Sequence, residues 1–271
     1  MFPRSKIGYR HRVAAATIAL LAFAPAANAE TCRKDSPAHK VALVELYTSE
    51  GCSSCPPADR WLSALVKKPQ DERIVALALH VDYWDSLGWR DRFANPVFTQ
   101  RQNTLTNLSR ARFAYTPEVF LGMRELRGWS NPSELESAIR AINRLPAQAD
   151  ITLSLQAGAS ANERVVHAIF RLRSGTVAPQ ARGFVAIYED MLSTAVERGE
   201  NRGATLHHDR VVRQWLGPLP LQRGAADIQR TIAIPSDWKA DQLGVAAFVE
   251  DPSAGAILQA SSLEGCRIPG G

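Results

Sequence analysis

The stretch Val41-Ala-Leu-Val-Glu-Leu-Tyr-Thr-Ser-Glu-Gly-Cys-Ser-Ser-Cys-Pro-Pro57 decides how the first half of the chain folds. Val41–Thr48 is a run rich in Val and Leu, which reads as a strand. It ends in a short polar turn, and Cys52 and Cys55 follow at C-x-x-C spacing. A helical pattern then opens, with Ala58, Trp61, Leu62, Leu65 and Val66 spaced to form one buried face. The unpaired N–H groups and the positive dipole end of a helix N-terminus stabilise thiolates. The order strand, dithiol, helix therefore sets Cys52 and Cys55 where thiol chemistry is favoured. Pro56 and Pro57 lack an N–H and are tolerated only in a first turn, so the helix is expected to begin near Cys55.

Working outward, Arg73–Val81 is nearly continuous apolar sequence and suits a strand covered on both faces. It completes a β-α-β unit with the dithiol at the first strand-to-helix turn. Asp82 to Arg112 is rich in aromatic and polar residues, and Pro96–Ser109 within it reads as a helix. Tyr115-Thr116-Pro117 leads into short strands at Glu118–Leu121 and Glu125–Trp129. Asn131-Pro132 is a helix opening, a capping residue before proline at the first helical position. Leu135, Ala138, Ile139 and Ile142 line the buried side of that helix. From Asp150 the period becomes two, with strands expected at Ile151–Leu155, Val165–Leu172, Gly183–Glu189, Leu206–Trp215, Ile228–Ile234, Leu243–Glu250 and Ala256–Ala260. About seven such strands read as an antiparallel sandwich. The expected organisation is an α/β domain over residues 30–148 and an all-β domain over 149–271.

The first 29 residues are expected to be a signal peptide. Arg4, Lys6, Arg10 and Arg12 form a basic region, an apolar stretch follows, and Ala27-Asn28-Ala29 matches a small-x-small cleavage site. The formal net charge is +5, from 32 basic and 27 acidic side chains. Four of the basic residues and none of the acidic ones fall in the leader, which leaves 28 against 27. That balance argues against a nucleic-acid or membrane-surface partner. The expected location is secreted or periplasmic. In that oxidising setting four cysteines allow three pairings, of which the simplest joins Cys52 to Cys55 and Cys32 to Cys266.

The order strand, C-x-x-C, helix, strand, then X-Pro, strand, strand, helix resembles the thioredoxin fold, with a helical insertion before the X-Pro. The resemblance implies a cis Thr116–Pro117 bond beside the dithiol. More specifically, Val44 to Asp59, the segment His80-Val-Asp-Tyr-Trp-Asp85, Gly88-Trp89 and Gly199-Glu-Asn-Arg-Gly-Ala-Thr-Leu-His-His-Asp209 resemble the DUF1223 family of secreted thioredoxin-like proteins. These segments run through both halves of the chain. The resemblance assigns a family without assigning an activity.

From the residues, the leading reading is an exported thiol–disulfide oxidoreductase without organic cofactor. Cys52 would attack as thiolate and Cys55 would resolve the mixed disulfide. Ser53 and Ser54 bring hydroxyls and N–H groups to the thiolate, but no cation. Thioredoxins keep a buried acid six residues before the first cysteine. Leu46 stands there in this chain, and Glu45 is the nearby strand acid, either a proton relay or a structural acid bonded to Arg, Tyr or backbone. His80 and Asp82 end the second long strand near the dithiol, and a pairing between strand end and loop is the simpler expectation for them. His207 and His208 are adjacent on a strand and should face opposite ways, which argues against a shared metal. The partners expected are protein or small-molecule disulfides and thiols, with a redox partner protein. Two alternatives stand beside this reading. One is a binding protein with a static Cys52–Cys55 disulfide. The other is a copper- or zinc-handling protein, although C-x-x-C supplies two ligands and a structural zinc site needs four.

Overall fold

The computed structural model describes residues 31–67, 72–264 and 266; the expected leader lies outside them. The chain is mostly β, with three α-helices and fourteen strands among the described residues. β1 (Thr31–Asp35) precedes β2 (Ala42–Thr48), α1 (Pro56–Val66) and β3 (Ile74–His80). Then come α2 (Pro96–Leu108), β4 (Glu118–Leu121), β5 (Arg124–Glu125) and α3 (Pro132–Asn143). The rest is β6 (Ala149–Ala157), β7 (Glu163–Leu172), β8 (Arg182–Glu189), β9 (Leu192–Ala195), β10 (Thr205–His208), β11 (Val211–Pro220), β12 (Ala225–Ala233), β13 (Leu243–Asp251) and β14 (Ala256–Leu263).

Each helix starts at a proline, where the missing N–H has no intrahelical acceptor to lose. Asn95 and Asn131 cap α2 and α3 through their side-chain oxygens, whereas Cys55 stands at the N-cap of α1 and offers no side-chain cap. β2 and β3 are buried along their whole length and pair in parallel. Their alternating residues serve two cores. Leu43, Tyr47, Val75, Leu77 and Leu79 pack under α2, while Val44, Leu46, Ala76 and Ala78 pack with Ala58 and Leu62 of α1 and Leu135 and Ile139 of α3.

The halves of the chain share one sheet. Its strand order is β14-β13-β8-β11-β3-β2-β4-β5, and the junction is the parallel pairing of Val211 in β11 with Ala78 in β3. On the β8–β13–β14 side, one face continues the core beneath α2 through Phe184, Tyr188 and Phe248. The other face packs Val185, Ile187, Val245 and Val249 against a four-stranded sheet of order β1-β6-β7-β12. Hydrogen bonding therefore does not stop at residue 148, and β1 belongs to the sheet formed by strands from beyond residue 148.

Two strand expectations are corrected. Glu125–Trp129 shortens to Arg124–Glu125, because the chain turns at Arg127–Ser130 and Trp129 packs on Trp61 instead. Leu206–Trp215 divides into β10 and β11 at Arg210, which has φ +61°. Arg210 N–H donates to Asp190 and Met191 N–H donates to Asp209, locking this turn to the one before β9. β9, absent from the sequence reading, pairs with β10 as a hairpin.

Cys32 and Cys266 form a disulfide across a separation of 234 residues. Both are partly buried against the core between the two sheets. A chain closed over so long a loop has a restricted unfolded state. Cys32→Ser is therefore expected to lower the unfolding free energy by about 2–4 kcal/mol. The check is the urea midpoint, which should fall; an unchanged midpoint would overturn the expectation.

Candidate functional site

The end of β2, the turn at Ser49–Gly51 and the start of α1 bring Cys52 and Cys55 into a second disulfide. Cys55 N–H donates to the Cys52 carbonyl at 3.2 Å, and the Cys55 carbonyl accepts the first α-helical N–H groups, from Ala58 and Asp59. Ser54 Oγ lies 3.4 Å from Cys52 Sγ and 3.5 Å from the Thr116 carbonyl, so it links the dithiol turn to the Thr116–Pro117 bond, which is cis. Trp84 Nε1–H donates to Thr116 Oγ1 at 2.8 Å. Ser53 and Ser54 are exposed, but both cysteines are fully buried.

The loop between β9 and β10 accounts for part of that cover. Asn201 Nδ2 donates to the carbonyls of Glu50 and Cys52, at 2.9 and 3.0 Å. Glu200 Oε2 accepts from Ser53 N–H at 3.0 Å. Gly199, at φ +72°, lies so close to Trp89 that an added Cβ would stand 3.0 Å from the Trp89 Cβ. The dithiol turn is thus held from outside by residues from the far half of the chain.

Beneath the turn lies a buried polar cluster: Glu50, Asp59, His80, Asp91 and His208. His80 Nδ1 and Asp91 Oδ2 are 2.6 Å apart. Burial disfavours a charged imidazole, but the Asp91 carboxylate outweighs it and raises the His80 pKa. Burial likewise works against the Asp91 carboxylate, yet His80 and the N–H groups of Glu50 and Phe93 hold its pKa below the usual range. Asp59 is different. Its carboxylate accepts from Thr48 Oγ1 at 2.8 Å, and burial raises its pKa despite the opposing pull of His208 and His80.

The other sequence candidates have distinct places. Glu45 and Arg101 form a bidentate pair at 2.5 and 2.9 Å, with Tyr47 OH 3.4 Å away. Neighbouring Leu46 packs on the α1 side of the sheet while Tyr47 packs on the α2 side, so Glu45 points with Tyr47 towards α2 and is not brought to the dithiol. Asp82 accepts from Thr99 Oγ1 at 2.5 Å. His207 is exposed and His208 buried, as strand alternation requires. His208 meets His80 edge-on, with ring centroids 5.0 Å apart. Among the described residues no three His, Cys, Asp or Glu side chains are gathered to hold a metal ion.

Glu50, Asp59, Asp91, Glu200, Asn201 and His208 were missed as site residues. Glu50 and Asp59 flank the C-x-x-C within a few residues, and an acid four positions after Cys55 on a helix was a readable signal. The Gly199–Asp209 stretch stands out as a motif, but nothing local to it says that it covers a distant turn.

The sequence profile of a family described as "Protein of unknown function (DUF1223)" matches residues 43–250. The chain belongs to the DUF1223 family. The match spans the dithiol, the buried cluster and the covering hairpin, so the family pattern includes both halves of the site. Among solved structures, a protein from Agrobacterium tumefaciens is 23% identical with TM-score 0.59, covering 85% of this DUF1223 chain and 97% of that one. HBP35 of Porphyromonas gingivalis is 16% identical with TM-score 0.65, covering 84% of this chain and 76% of that one. At these identities the likeness is one of fold. None of the curated proteins compared matches this sequence.

Proposed function

We propose that this DUF1223 protein is an exported thiol–disulfide exchange protein on a thioredoxin-like scaffold, with Cys52 as attacking and Cys55 as resolving sulfur. The observation that carries the reading is the Cys52–Cys55 disulfide at the first turn of α1, tied through Ser54 to cis Thr116–Pro117. The run β2-α1-β3, then β4-β5-α3 on one sheet, supports the scaffold. The leader-like N-terminus and the Cys32–Cys266 disulfide support export. Among the described residues no helix is long and apolar enough to cross a membrane. Protein or small-molecule disulfides are the substrate class.

The test is the reduction potential of the Cys52–Cys55 couple, measured against glutathione. Values between about −270 and −120 mV, the range of exchange proteins, are expected. A couple well below −300 mV (~30 mV is tenfold in equilibrium constant) would mark a structural bridge and sink the proposal.

One observation favours a second reading, a binding protein with a static disulfide: both cysteines are buried under the β9–β10 loop. The two readings part on whether that cover opens. Asn201→Ala removes two hydrogen bonds, each worth about 0.5–1.5 kcal/mol. Alkylation of the reduced protein at Cys52 is expected to accelerate by roughly 5- to 150-fold as the open state gains population. An unchanged rate, read by mass spectrometry, would mean that Asn201 does not hold the cover.

A further inference from the structure

His208 is nearly fully buried, yet no hydrogen bond closes on either of its ring nitrogens. Nε2 faces Glu50 Oε1 at 3.4 Å, and Nδ1 faces Asp59 Oδ2 at 3.7 Å. Glu50 Oε1 is itself unpartnered, and so is Nε2 of the neighbouring His80. Buried polar atoms are ordinarily hydrogen-bonded, because leaving them without a partner costs free energy. Four such atoms gathered under one redox-capable turn mark a place where protons can be redistributed with little rearrangement.

Asp59 connects this cluster to the dithiol. It lies four residues after Cys55, and its N–H donates to the Cys55 carbonyl at 3.1 Å. Residues four apart on a helix are neighbours on one face. Both Cys55 and Asp59 are buried, so they share the face turned to the protein interior. The groups facing Asp59 are Thr48 from β2, His208 from β10, His80 from β3 and Asp91 from the segment leading into α2. Glu50 stands behind His208. Three carboxyl groups therefore share two imidazoles. Asp91 is committed to His80, and Glu50 accepts Trp89 Nε1–H at 2.9 Å. Asp59 has only a hydroxyl donor and an imidazole that does not quite reach it.

We propose that Asp59, with His208 as its partner, takes the proton that Cys55 must shed to resolve a mixed disulfide. The proposal rests on the exchange reading above and adds the proton acceptor that this reading lacks once Glu45 is bound to Arg101. Cys52 thiolate attacks a substrate disulfide, forming the Cys52–substrate bond and expelling the first substrate thiolate. The Cys55 thiol gives its proton to the Asp59 carboxylate. Its thiolate attacks Cys52 sulfur, closes the Cys52–Cys55 bond and releases the second substrate thiolate, which recovers the proton. Two electrons pass from the dithiol to the substrate. Because His208 sits on β10, the C-terminal half supplies part of this chemistry, which gives its fusion to the dithiol sheet a chemical role.

The test uses the full chain, reduced at both Cys52 and Cys55, and an excess of an aromatic disulfide that releases a coloured thiolate. The first release reports attack by Cys52 and the second reports resolution by Cys55. In Asp59→Asn the second release is expected to slow by about 10- to 100-fold near pH 6, the usual scale for losing a positioned base. It should converge on the native rate above about pH 9, where a thiol ionises unaided. Asp59→Glu should restore much of the rate, and His208→Gln should shift the pH profile of the second release alone. Loss of packing without loss of a base would not give that pH convergence. A native second-release profile in Asp59→Asn, with the first release intact, overturns the assignment of Asp59 and leaves the exchange reading standing. Absence of any first release from the native protein overturns both. If Asp59→Asn does not fold, His208→Gln decides by the same profile, and a native second-release profile in that variant overturns the proposal.

Discussion

Arg101→Leu is expected to destabilise the protein by about 3–5 kcal/mol, because it leaves buried carboxylates without their cation. Arg101 lies in α2 and reaches across the shared sheet to both halves of the chain. Its guanidinium is paired with Glu45 on β2 at 2.5 and 2.9 Å and with Glu250 on β13 at 3.1 Å. Phe184, Trp215 and Phe248 surround it with ring centroids 4.8–5.2 Å away. Arg182 holds the other oxygen of Glu250, whereas Glu45 has only Arg101 and the distant Tyr47 hydroxyl. Glu45 is therefore the group left most exposed to the loss.

The pH dependence follows from the same residue. Burial already raises the Glu45 pKa, and Arg101 offsets part of that rise. Removing Arg101 raises it further. A carboxyl group whose folded pKa exceeds its unfolded value costs stability as pH climbs through that interval and regains it as pH falls. The deficit of Arg101→Leu should accordingly be largest at neutral pH and shrink towards pH 4. Urea midpoints at the two pH values measure this. Equal stability of variant and native protein at pH 7 would show that the pair is not needed. Arg101→Lys keeps the charge but loses the two-pronged geometry, and should fall between them.

Cys55→Ser is expected to convert exchange into a trap. Cys52 would still attack a disulfide, but the sulfur that closes the ring would be gone. Release of the bound substrate should slow by on the order of 10³-fold or more, since an intramolecular thiol acts at very high effective concentration. Mass spectrometry of the variant after exposure to oxidised glutathione should show one adduct, on Cys52. Cys52→Ser should form far less, because the sulfur assigned to attack is gone. Equal adducts on the two variants would reverse the roles given to the sulfurs.

Much of this was readable residue by residue. The strand before the C-x-x-C, the helix after it, the prolines at three helix starts and the Cys52–Cys55 pairing are all local. Each depends on periodicity, on a missing N–H, or on two cysteines three positions apart. The strands after residue 148 were also legible as strands, with the break at Arg210 and the short β9 as the exceptions. Those failed because the turn at Arg210 is held by Asp190 and Asp209, contacts that no hydrophobic pattern records.

What the sequence determined by itself was most of the elements, the family and the location of the dithiol. Only the tertiary structure decided what surrounds that dithiol. A period of two says which face of a strand is buried but not which strand will lie beside it, because backbone N–H and C=O groups are the same in every strand. The pairing of Val211 with Ala78 thus had no signature in the residues. Yet the hairpin just before Val211 brings His208 to His80 and Asp59, and Asn201 over Cys52. The dithiol was local information; its cover and the His208 imidazole beneath it are consequences of one long-range strand pairing.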